Sequence, residues 1–104
     1  MSNWRSPALL RAARDQSCVN CGAEDGTIVS AHSNWPDHGK GMSIKAHDCF
    51  VAHLCMRCHS WLDQGGGLDP TGLWHVKEKR EMFDRAKDKT LLRLFQQGRL
   101  KVTV

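Results

Sequence analysis

At 104 residues the chain is short enough for a single domain with a modest core, and its net charge of +4 is moderate. No stretch reaches the length of an apolar membrane span, and the first 20 residues, MSNWRSPALLRAARDQSCVN, hold no apolar run of signal-peptide type. Five cysteines, an odd number, do not suit a closed disulfide framework; the expectation is a reducing, cytoplasmic setting in which clustered cysteines bind metal.

In chain order, SPALLRAARD predicts a short helix. Ser6 can cap it, Pro7 suits its first position, and Ala8, Leu9, Ala12 and Ala13 form an apolar side. CVNCG follows, two cysteines three apart with a glycine for the tight turn that aims both thiolates at one ion. GTIVSAH is short and β-branched, which predicts a strand ending at His32. Residues 33–44, SNWPDHGKGMSI, read as a loop whose length suggests function. DCFVAHL predicts a second strand packed on the first, and CMRCHSWLD a cysteine turn that opens a helix. QGGGLDPTG breaks that helix. A long helix is expected from about Leu73, with apolar positions at Val76, Phe83, Ala86, Leu91, Leu94 and Phe95, and with a kink or new cap at Asp88 to Thr90. Gly98 closes it, and LKVTV alternates like a terminal strand.

The charge is uneven along this plan. From Lys77 onward nine Lys/Arg face four Asp/Glu, whereas the first 76 residues carry six against seven. A phosphate-bearing partner is one reading of the basic C-terminal quarter. A solvated helix face laced with pairs such as Glu81 and Arg85 is the plainer one.

Cys18 with Cys21 and Cys55 with Cys58 are two C-x2-C pairs, the four thiolates of a closed structural zinc site. The intervening residues exceed ribbon spacing and leave room for two strands and a loop. A thioredoxin-like dithiol is the competitor, but it should come with a βαβ context that this sequence lacks. Cys49 reads as a small buried apolar residue in the second strand.

Closing the four cysteines on one ion brings the strand end at His32 and the helix start at His59 into one neighbourhood. Two histidines facing each other across a cleft suit hydrolysis, one taking a proton from water and the other holding a metal on a phosphate. The alternative for His59 is a part in the zinc site itself. Asp48 can orient His32 or supply a metal oxygen. Asp63, four residues after His59, shares its helix face and can bond the imidazole. His38, His47, His53 and His75 read as exposed or core-edge imidazoles, and Trp61 as core.

A cysteine knuckle, a strand ending in histidine, a loop, a second strand and C-x2-C-H on a helix together resemble the HNH, or His-Me finger, nuclease motif. More narrowly, AHSN, GKGMSIKAHD and LCMRCHSWLD resemble the small phage and prophage YbcO-like family, related to the HNH domain of the Ref recombination nuclease, over roughly residues 8 to 66. The resemblance implies an α+β fold: a zinc-stapled ββα-metal core at about residues 16–66, flanked by an N-terminal helix and a basic helical extension at about 72–104, in one domain. It implies a metal-dependent DNA endonuclease acting in recombination or DNA processing in a bacterial host. His32 falls on the general base, Asp48 on the middle residue of the motif, and His59 on a ligand of the catalytic divalent metal, Mg2+ or Mn2+. Cys18, Cys21, Cys55 and Cys58 fall on the structural Zn2+ knuckle.

Lys40 and Lys45 in the loop, with Lys77, Lys79 and Arg80 on the basic helix, would hold the DNA backbone without reading sequence. A recombinase or another phage DNA-processing protein is the implied protein partner, and no membrane is involved. One departure stands out. Many members carry a metal-binding Asp or His directly before the general base, where this chain has Ala31. A further metal ligand would then come from Asp48, His47, Asp37, His38 or water. A zinc-dependent DNA-binding or partner-binding module without turnover is the alternative function.

Overall fold

The computed structural model describes residues 3–64 and 73–103. The expected glycine-rich break after the cysteine helix lies outside the described residues, as do the side chains of Trp74 and His75. Among the described residues, no helix is long and apolar enough to cross a membrane.

The first helix, α1 (Pro7–Arg11), starts as expected: the Ser6 side chain accepts from the Leu9 N–H at 3.3 Å and proline occupies its first turn. The buried Ala13 just beyond it reaches the core, and the Ser30 hydroxyl bonds the Leu10 carbonyl at 2.9 Å, tying α1 to the first strand. Strand β1 (Val29–His32) pairs antiparallel with β2 (Val51–Leu54), in the register Val29 to Leu54 and His32 to Val51. Helix α2 (Met56–Gln64) follows β2 directly, and α3 (Leu73–Gln96) packs on β2. The result is a small α+β unit, a two-stranded sheet with helices on it.

Both strands are shorter than expected. Asp48 and Cys49 sit in a turn before β2, with the Phe50 N–H donating to the His47 carbonyl at 3.0 Å, and Cys49 is exposed rather than buried in a strand. Every residue of β2 is buried, and Ala31, Ala52, Leu54, Leu62, Met82, Phe83 and Ala86 form the core around it.

Among the described residues, the outer edge of β2 is closed by a helix side chain and by the backbone beside the cysteine knuckle rather than by another strand. The His53 N–H donates to the Thr90 hydroxyl at 3.0 Å, and its carbonyl accepts from Val19 N–H at 3.0 Å. Two expectations fail for this reason. Thr90 is a buried core contact of an unbroken helix, not a kink or cap, and it turns Leu91 and Phe95 outward to about half exposure. Residues 100–103 form no strand: the outer edge of β2 is already taken, residues 101–103 are exposed, and alternation of side chains alone cannot satisfy a strand's backbone groups. Gly98 does end α3, with φ of +72° and Arg99 N–H closing on the Leu94 carbonyl at 2.9 Å.

Candidate functional site

The knuckle forms as its spacing demands. Gly22 takes a left-handed φ of +81°, and its N–H returns to the Cys18 carbonyl at 2.9 Å, which turns Cys18 and Cys21 to one side. Cys55 links β2 to α2, and Cys58 lies in the first turn of α2. All four sulfurs fall within 4.8 Å of one another, with Cys21 and Cys55 at 3.6 Å. Thiolates about 2.3 Å from a tetrahedral ion would stand about 3.8 Å apart, so the spacing suits a closed four-sulfur site. The cysteines are free, and the cluster can hold a metal ion.

The local electrostatics fit that role. Burial opposes ionisation of Cys18, but the backbone N–H groups of Cys21, Cys55 and Asn20 point at its sulfur and bring it to about 7. Burial pushes Cys58 up to about 12, helped by the three neighbouring sulfurs and only partly offset by the Asn20 amide at 3.3 Å. A cation among the four removes their mutual repulsion.

His32 and Asp48 meet directly: the His32 Nε2 lies 2.8 Å from the Asp48 Oδ1. Asp48 is only 2% exposed, and its carboxylate is fully engaged. Arg5 Nη1 donates to Oδ1 at 2.9 Å, and the Ser6 N–H donates to Oδ2 at 2.7 Å. Burial alone would raise this carboxyl, yet the bonds from His32, Ser6 and Arg5 outweigh it and hold the group below the ordinary aspartate value. An ionised Asp48 can only accept, so the His32 Nε2 carries the proton and its Nδ1 holds the ring's lone pair.

His59 lies outside the cysteine cluster. Its Nε2 is 3.0 Å from the Asp63 Oδ2, the i,i+4 contact expected on one helix face. The other Asp63 oxygen accepts from the Asn34 amide at 2.8 Å. Asn34 is two residues after His32, so this bridge draws the α2 histidine and the end of β1 into one region. An imidazole and a carboxylate, each about one-third to two-fifths exposed, are donors a hard divalent ion accepts. Among the described residues, the four cysteines are the one group of three or more such side chains close enough to share an ion.

The other candidates are committed elsewhere. The His47 Nδ1 accepts from the Trp4 N–H at 2.9 Å. His38 is buried, stacked on Phe50 at 4.5 Å with its Nδ1 2.6 Å from the Ser33 hydroxyl, and burial first of all lowers its pKa. Asp37 forms a fork with Arg80 at 2.9 and 2.8 Å, which holds its carboxyl at about 2. Arg80 also bonds Asp84 and lies 5.1 Å from the Trp35 ring centroid, and Lys79 is buried with its ammonium 5.8 Å from the Trp61 ring centroid. Both cations thus brace the fold from within, whereas Lys45 and Lys77 are exposed and Lys40 is partly so. His53 is not at the core's edge: it is completely buried, and its Nε2 has no hydrogen-bond partner among the described residues.

Sequence reasoning missed the N-terminal arm. Asn3 Nδ2 donates to the carbonyls of Gly39 and Lys45 at 2.7 and 2.8 Å, and Arg5 donates to those of Lys45 and Ala46 at 2.8 and 2.6 Å. These ties join the chain start to the loop that carries Asp48 across some 40 residues, and no local pattern signals them. Comparison with curated proteins and with solved structures finds no match. Residues 1–66, more than half of the chain, match the family described as "Protein of unknown function (DUF968)", and the chain belongs to that family.

Proposed function

We propose that the chain is a metal-dependent DNA endonuclease of HNH type, similar to the phage and prophage YbcO-like proteins, with a structural zinc at Cys18, Cys21, Cys55 and Cys58. The observation that carries this reading is the buried Asp48 holding His32 by Nε2. A carboxylate there fixes the ring's tautomer and orientation and leaves the Nδ1 lone pair to take a proton, as a general base must.

In the proposed reaction Nδ1 of His32 takes a proton from water as the water oxygen attacks phosphorus in line. The bond from phosphorus to the 3′ oxygen breaks, leaving a 5′-phosphate and a 3′ oxygen that takes up a proton from solvent. A divalent ion, Mg2+ or Mn2+, held by His59 and Asp63 would supply positive charge at the scissile phosphate. Asn34 fixes the Asp63 carboxylate. Lys40, Lys45 and Lys77 would contact the DNA backbone, while Lys79 and Arg80 keep α3 in place.

One observation favours the second reading, a zinc-dependent DNA-binding or partner-binding module without turnover. Ala31, where the resembled family carries a further metal ligand, is 1% exposed and belongs to the core. The two readings separate on plasmid and single-stranded DNA with Mg2+ or Mn2+. Nicking by the wild type that falls about 10²- to 10⁴-fold in His32→Ala, with DNA binding and melting temperature kept, is the expected result. Cutting that survives in the variant would sink the mechanism, and binding without cutting under every metal would leave the module.

A further inference from the structure

The loop between the strands ends in a feature that the proposed chemistry does not use. Gly41 and Ile44 exchange backbone hydrogen bonds at 3.0 and 3.2 Å, which makes residues 41–44 a two-residue hairpin tip with Ser43 in the left-handed region at φ +59°. The tip presents two apolar side chains to solvent on either side of the exposed Ser43: Met42 is 95% exposed and Ile44 50%. Lys40 and Lys45 stand on its two limbs, and residues 38–47 contain no acid.

The projection has a stiff base. Asn3 clamps the carbonyls of Gly39 and Lys45, one on each limb, and Arg5 holds those of Lys45 and Ala46. Gly39 lets the limb pass: at φ +93° a Cβ there would lie 2.8 Å from the His47 ring. Four residues past the tip comes Asp48, which holds His32, so the tip and the candidate general base are carried by one braced loop.

A solvent-exposed methionine between cations, on a support that resists bending, suits a partner with apolar planes inside and negative charge at both edges. We propose that the 41–44 tip is a DNA wedge: Met42 enters the minor groove and slips between adjacent base pairs, backed by Ile44, while Lys40 and Lys45 meet the phosphates of the two strands. Apolar wedges of this kind partly unstack a base step and kink the duplex, and the cations on either side offset the cost. The inference rests on the DNA reading of the site and adds how the duplex is gripped and deformed there.

The test uses the full zinc-loaded chain and a duplex carrying 2-aminopurine, in Ca2+ to permit binding without turnover. Binding by the wild type should raise 2-aminopurine fluorescence several-fold. Met42→Leu should keep the rise, and Met42→Ser should lose it and weaken binding about tenfold. Because Met42 is almost wholly exposed, neither variant disturbs the fold, and equal melting temperatures confirm it. Wild-type binding with no fluorescence rise, or a Met42→Ser variant that behaves as wild type, overturns the wedge and leaves the nuclease reading standing. No DNA binding at all overturns both. Anionic phosphatidylserine vesicles are the control surface: vesicle binding that depends on Met42, beside a DNA signal that does not, assigns the tip to lipid and overturns the proposal.

Discussion

The cysteine cluster and the His32–Asp48 pair are assembled by opposite means. The cysteines come from two compact turns, each with its ligands three residues apart, and closing one turn on the other also sets where α2 begins. The histidine is held by a carboxylate 16 positions away, and that carboxylate is held in turn by Arg5 and Ser6, which lie 43 and 42 positions before it. The first device is encoded locally and can be sealed by an ion. The second is encoded in long-range hydrogen bonds and needs the fold to exist first.

The comparison breaks most visibly on metal removal. If the cysteines are a folding staple, chelation or Cys55→Ser should abolish cooperative unfolding altogether. Structural zinc is worth about 10 kcal/mol or more in zinc-finger peptides, which is comparable to the whole stability of a domain of this size. Thermal melting followed by circular dichroism reads this directly. A transition unchanged by EDTA and by the substitution would remove the metal from the account of the fold.

Asp48 comes second in size. Asp48→Asn keeps the shape but places an amide opposite donors that need acceptors, and it strips Arg5 and His32 of their counter-charge. A loss of about 2–4 kcal/mol is expected, less than for the cysteines because the core and the clip remain. The pH dependence gives a second readout. Since Asp48 lies below the ordinary aspartate value when folded, its contribution is fully present above about pH 4 and is lost as pH falls through the folded value. Acid denaturation followed by tryptophan fluorescence should therefore show a shallower acid limb in Asp48→Asn than in the wild type. Parallel acid limbs would mean that the carboxylate is not held in the way its hydrogen bonds imply.

This contrast also explains what could be read in advance. The spacing of Cys18, Cys21, Cys55 and Cys58, the Ser6–Pro7 start, the His32 strand end and the His59–Asp63 pair are all local, and each appears where its pattern puts it. The failures are tertiary. Thr90 looks like a helix interruption until the unpaired His53 N–H gives its hydroxyl a partner. LKVTV has a strand's alternation but meets a β2 edge already closed by Thr90 and Val19. Lys79 and Arg80 count toward a basic face by composition, yet Trp61, Trp35, Asp37 and Asp84 claim them. The role of Arg5 has no signature at all, because a single arginine near a chain start is ordinary in any basic protein.

Arg5 therefore offers the finest test of the long-range device. Its guanidinium is 41% exposed on the side-chain scale, so its pair with Asp48 is partly screened by solvent and contributes about 1 kcal/mol. Arg5→Ala should lower the melting temperature by about 4–8 °C, well short of the Asp48 effect, because Ser6 N–H and His32 still hold the carboxylate and water can reach the freed carbonyls. Arg5→Lys keeps the charge but cannot donate to Asp48 and to the carbonyls of Lys45 and Ala46 as one planar fork, so it should restore only part of the loss. If stability were all that Arg5 supplies, cutting at a temperature far below melting would be unaffected. If the chain cuts DNA as proposed, a positioning residue predicts otherwise: the rate should fall about tenfold in Arg5→Ala with DNA affinity little changed, and Arg5→Lys should restore part of it. A rate unchanged at low temperature would reduce the arm to a structural strap.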